Sequence, residues 1–149
     1  MTVPVSDLSG LTRAQPVISA AGAKAVLRAA EAEATETGVP VVIVVVDNGG
    51  DLKALLSMDG APKGAIQWSI DKAVTAASFC TPTHVLAQAM EGVPSAVSSL
   101  MGQPHATLAP AGFPLVIDGV VVGAIGASGG TPDQDQAVAQ AGVAALGAA

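Results

Sequence analysis

The stretch from Val41 to Ser57, "VVIVVVDNGGDLKALLS", constrains the fold more than any other part of the chain. Six consecutive β-branched residues, Val41 to Val46, stiffen the side-chain torsions and favour an extended backbone. An apolar run without alternation predicts a strand buried on both faces. Asn48-Gly49-Gly50 then supplies the positive backbone dihedrals of a tight return. In the segment that follows, Leu52, Ala54 and Leu56 alternate with Lys53, Leu55 and Ser57. This is a hairpin whose second strand is partly exposed.

A second hairpin is predicted in "LVIDGVVVGAIGAS", where Asp118-Gly119 is the turn. Helical segments lie before, between and after the hairpins. "PVISAAGAKAVLRAAEAEATETG" carries a stripe of Val17, Ile18, Ala21, Ala25, Leu27 and Ala29 and stops at Gly38. "APKGAIQWSIDKAVTAASF" has Pro62 near its start and Trp68, Lys72 and Thr75 on related faces. Two shorter helices, "HVLAQAME" and "PSAVSSLMG", precede "PHATLAPAGFP", a loop or short strand. The chain closes with an Ala-rich helix. The expectation is one α+β domain over residues 1–149, with a mainly antiparallel sheet of about five strands covered by helices.

Composition narrows the function classes. Half the residues are hydrophobic, yet Trp68, Phe79 and Phe113 are the only aromatics, so the core is built from Ala, Val, Leu and Ile. The surplus of apolar side chains on helical stretches predicts burial between copies, that is, a homo-oligomer. A net charge of −6 with six unclustered Lys and Arg argues against nucleic acid or an anionic membrane as partner. With no long apolar span and no basic start followed by an apolar segment, the expectation is a soluble cytoplasmic protein. Cys80, the only cysteine, excludes an internal disulfide and a thiolate-rich metal site, and reads as a small buried hydrophobe.

Few residues can carry chemistry. His84 and His105 are the only histidines, so a three-histidine metal site within one chain is impossible. His84 is expected to cap or flank its helix, whereas His105 lies in a Pro-rich loop where a titratable ring could meet a ligand. Lys72 is either a snorkelling lysine at the core edge or a cation aimed at a carboxylate. Asp59 is either a turn residue or an acid-base group facing Lys72. In "AIGASGGTPDQD", strand, glycines and helix start have the general form of an anion cradle. Thr131, Pro132 and Gln134 instead spell a capping box, and Asp133 and Asp135 already oppose the helix dipole. The loop is therefore read first as a cap, with Ser128 and the glycine N–H groups as secondary ligand donors.

Several stretches together resemble the GlcG/HbpS family of haem-binding or haem-degrading domains, which includes the C-terminal domain of PduO-type cobalamin adenosyltransferases. They are "VVVDNGGDLKALLSMDGA", "DKAVTAASF" and "GFPLVIDGVVVGAIGASGGTPDQDQAVAQAG", with the preceding Ala-rich helix. The resemblance implies an α/β sandwich with profilin-like layering, a homo-oligomer, and a small-molecule ligand for which haem or another tetrapyrrole is the first guess. Two departures stand out: Ser57 occupies a position where members commonly carry Arg, and Phe113 replaces a glycine. The first helix also lacks the histidine of some haem-binding members. Tyr being absent, His105 is the best axial-ligand candidate, ahead of Met58, Met101 and Thr107. Lys72 would offset negative charge, Asp59 orient a partner, and Ser128 and Gly129 offer hydrogen-bond donors. Two other classes stay open. One is a metal-independent isomerase, cyclase or lyase using His105, Asp59 and Lys72 for acid-base chemistry. The other is a structural partner of a larger enzyme or sensor.

Overall fold

In the computed structural model, which describes residues 10–147, the two hairpins form as expected. Strands β1 (Val42–Asp47) and β2 (Leu52–Ser57) make the first, and β3 (Gly112–Ile117) and β4 (Val120–Ser128) the second. Both turns follow local chemistry. Asp47 Oδ1 accepts from the N–H groups of Gly49 and Asp51 at 2.9 and 3.0 Å, closing the first turn. Asp118 and Gly119 have φ of 49° and 77°, the paired left-handed geometry of a two-residue hairpin.

The sheet order is β2-β1-β4-β3, and every pairing is antiparallel. There are four strands among the described residues rather than about five. The segment before β3, readable as a loop or a short strand, is a loop. Pro104 and Pro110 lack N–H donors there, and His105 and Ala111 take positive φ of 57° and 83°. No ladder can run through such a segment, and Ala127 N donating to Ala111 O at 3.1 Å ties its end to β4.

Helices cover both faces. Val41, Ile43, Val45, Leu115, Ile125 and Ala127 pack toward α1 (Ala20–Thr37) and α5 (Pro132–Ala144). The alternate residues Val42, Val44, Val46 and Ala124 pack toward α2 (Ala65–Phe79). The unbroken Val/Ile run is thus the consequence of a central strand with a helix layer on each side. Two short helices, α3 (Thr83–Ala89) and α4 (Pro94–Met101), lead into the loop before β3.

What seats α2 is a cross-strand glycine pair, Gly112 opposite Gly126. A Cβ at Gly126 would overlap the Ser69 carbonyl oxygen and stand 2.8 Å from Ala73 N. One at Gly112 would overlap the Lys72 carbonyl oxygen and stand 2.6 Å from Thr83 Cγ2. The helix backbone lies directly on bare strand backbone, and Ser69 Oγ donates to Val42 O at 2.9 Å beneath it.

Helix α1 begins at Ala20 behind the N-cap Ser19, so Val17 and Ile18 precede it, and its buried face is Ala23, Val26, Ala30 and Ala34. The expected stripe is corrected here: Ala21 and Ala25 are exposed. In an Ala-rich helix several faces look equally apolar, and shape selects among them. Gly38 does terminate the helix, at φ 70°. Cys80 is exposed, contrary to expectation, because it is the left-handed C-cap of α2 at the surface. The Thr131 capping box forms as read, with Thr131 N donating to Gln134 Oε1 at 2.9 Å and Gln134 N to Thr131 Oγ1 at 3.3 Å. Thr131→Ala is expected to destabilise the fold by about 1 kcal/mol, measured as a lower urea midpoint with unchanged slope.

Candidate ligand-binding site

Two pockets lie along helix α2. The first, about 540 Å³, is walled by Val74 and Phe79 of its C-terminal half with Ala96 and Leu100, and has Met90 and His105 also on its lining. The second, about 430 Å³, lies at its N-terminal half, where Trp68 and Lys72 meet Gly129, Gly130 and Asp135. Both volumes fall within the range of about 300–1,000 Å³ typical of small-molecule sites.

His105 is held by α2 although it belongs to the loop. The buried Thr75 hydroxyl accepts from Thr107 N at 3.0 Å, donates to Asp71 O at 2.7 Å, and lies 3.2 Å from the His105 carbonyl oxygen. These contacts fix the loop and its positive φ. The ring is then oriented by its Nδ1, 3.1 Å from Asp71 Oδ1 and 3.0 Å from Gln67 Nε2. Gln67 also donates to Asp71 Oδ1 at 2.7 Å, an i,i+4 pair on the exposed side of the helix. In the tautomer that donates Nδ1–H to Asp71, Nε2 keeps its lone pair for a ligand. A carboxylate-oriented imidazole is the usual way a histidine is prepared to bind a metal.

Lys72 belongs to the second pocket. Its Nζ donates to Ala127 O at 2.7 Å and to Asp135 Oδ2 at 3.2 Å, with both side chains buried. Burial lowers the Lys72 pKa from its ordinary value, and the Asp135 charge and hydrogen bond oppose that shift. Asp135 is occupied twice, since its Oδ1 accepts from Gly130 N at 2.8 Å. With Thr131 N also donating to Gln134, two N–H groups of the glycine loop are taken by side chains of α5.

The expected polar set is therefore divided between two places. His105 and Lys72 line different pockets, and Lys72 pairs with Asp135 rather than with Asp59, which is exposed in the turn after β2. Gly129 lines the Lys72 pocket, with φ 141° and room for no Cβ against the Pro40 carbonyl oxygen. Ser128 is buried, and its Oγ has no partner among the described residues. Thr107 spends its hydroxyl within its own loop, accepting from Ala109 N at 3.1 Å. Met58 packs against the α1-side core and Met101 is exposed at the end of α4, whereas Met90 lines the His105 pocket. Phe113 belongs to the α1-side core, its ring 5.6 Å from that of His84 on α3.

Asp71, Gln67 and Asp135 were missed as site residues. Asp71 had a local signal, its i,i+4 spacing from Gln67. Asp135 had only the first-turn position that reads equally well as a dipole cap. Among the described residues no helix is long and apolar enough to cross a membrane.

A family model described as "Haem degrading protein HbpS-like" matches residues 18–144. The chain is 37% identical over 124 residues to an uncharacterized 15.0 kDa protein in the dhaT-dhaS intergenic region of Citrobacter freundii, covering 83% of this chain and 87% of that one. Among solved structures, Klebsiella pneumoniae protein ORFY superposes with a TM-score of 0.86 at 33% identity, covering 93% of this chain and 96% of that one. A PduOC:haem complex superposes with a TM-score of 0.76 at 30% identity, covering 87% and 94%.

Proposed function

The chain belongs to the HbpS-like family of haem degrading proteins, and on that premise we propose that it binds haem or another tetrapyrrole in the His105 pocket. The observation that carries this reading is the His105 imidazole, held by Asp71 at the edge of an apolar pocket. The similar PduOC fold holds haem.

The residues present suit the group. Val74, Phe79, Leu100 and Met90 match the apolar body of a macrocycle, and an imidazole with a carboxylate behind it suits iron. Among the described residues no Lys or Arg lines this pocket, so acidic substituents of the ligand would be left to water. Bound haem would supply a redox-active iron. The protein's own part would be to ligate through His105 Nε2, to hold that ring through Asp71, itself held by Gln67, and to fix the loop through Thr75.

The same reading takes the chain as a single domain that acts as a homo-oligomer in the cytoplasm. Support for association is the exposure of large apolar side chains, including Trp68 at 67% and Leu52 at 58%.

Haemin titration followed through the Soret band tests the proposal. Wild-type protein is expected to saturate at one haemin per chain with a shifted band. His105→Ala should lose the shift, and Asp71→Asn should weaken binding by about 10–100-fold. No shift at stoichiometric haemin, or an unchanged shift in His105→Ala, would overturn it.

A further inference from the structure

The Lys72 pocket, at the N-terminal half of α2, is chemically different and independent of the haem reading. Its walls are apolar and rigid: Pro62, Pro110 and Pro132, with Ala65, Ala109 and the exposed ring of Trp68. Lys72 and Asp135 are its only titratable lining residues among the described ones, and they are paired at 3.2 Å. We propose that this pocket captures small aliphatic aldehydes, with Lys72 forming a reversible Schiff base to the carbonyl carbon.

Three features select that class of ligand. The Lys72 charge is already matched by Asp135, so an anion would find no uncompensated cation. The proline, alanine and tryptophan walls favour a short apolar tail. A primary amine with an adjacent carboxylate has what imine formation needs, a nucleophile beside a proton relay. Desolvation favours the neutral, nucleophilic amine, in keeping with the lowered Lys72 pKa.

The step balances without an oxidant or reductant. One ammonium proton passes to Asp135, and the nitrogen lone pair forms a C–N bond as the carbonyl π bond breaks. The carbonyl oxygen leaves as water, carrying two of the three original ammonium protons by way of Asp135. The resulting iminium keeps its positive charge beside the carboxylate, and water reverses the sequence.

Wild-type protein treated with butanal, reduced with borohydride and mapped by peptide mass spectrometry tests this. Lys72 is expected to carry the dominant butyl adduct, ahead of the exposed Lys24, Lys53 and Lys63. Ala109→Phe, which fills the pocket and leaves Lys72 and Asp135 in place, should lose the Lys72 adduct while labelling of the exposed lysines persists. Adducts confined to the exposed lysines, or a Lys72 adduct unaffected by Ala109→Phe, would overturn the proposal. Haemin binding reads the other pocket, so failure there would leave this result standing.

Discussion

Asp135→Ala should destabilise the protein by about 3–5 kcal/mol, a large share of the about 5–15 kcal/mol that holds a typical domain folded. The cost comes from what is left behind. Lys72 stays buried without its counter-charge, and Gly130 N loses its acceptor. Lys72→Met in the same chain should recover much of the loss, because it removes the stranded charge, though Ala127 O then lacks a donor. The variant's stability should also depend on pH. A lysine whose folded pKa lies below its unfolded 10.5 binds fewer protons folded than unfolded between those two values, so stability rises with pH across that window. Without Asp135 to oppose desolvation, the folded value falls further and the window widens. The urea midpoint of Asp135→Ala should therefore begin to climb at lower pH, and climb further by pH 10.5, than that of wild type. An equal rise, or a loss below about 1 kcal/mol, would mean that the pair is not desolvated as its burial indicates.

Gly126→Ala should cost about 3 kcal/mol or more, although it adds only one methyl group. The atoms it would meet are backbone, the Ser69 carbonyl oxygen and Ala73 N, and no side-chain rotation can relieve the overlap. Either α2 lifts from the sheet or β4 bends, and each response opens the packing around Val44 and Ala124. Gly64→Ala is the matched control: nothing lies within 4 Å of its Cβ position and its φ is −65°, so its thermal midpoint should stay near wild type. Similar midpoints for the two variants would show that the helix is not seated on bare backbone.

How much of this was legible in the sequence depended on the range of the interaction. Both hairpins were readable because Asn48-Gly49-Gly50 and Asp118-Gly119 encode their turns within two or three residues. The α5 capping box was readable for the same reason. "PHATLAPAGFP", readable as a loop or a short strand, is a loop, because prolines and positive φ values win over extended propensity. The buried face of α1 was obscured by alanine, which marks neither inside nor outside. The site was legible only in part. His105 and Lys72 could be singled out as scarce, chemically capable residues, but their partners are set by tertiary structure. Asp71 lies 34 positions from His105, and Asp135 lies 63 positions from Lys72. Of the two readings of Asp59, the turn residue is the one the fold supports, because α2 crosses the sheet and brings Lys72 to the end of β4 and the start of α5.

The glycine seat makes α2 a fixed wall shared by two chambers that follow one another along its length. A helix resting on side chains can slide or roll as those side chains repack, and a change at one end then disturbs the other. One resting on backbone has little such freedom. Trp68 and Lys72 in the first half of the helix, and Val74 and Phe79 in the second, can therefore diverge separately, each chamber reshaped without retuning its neighbour.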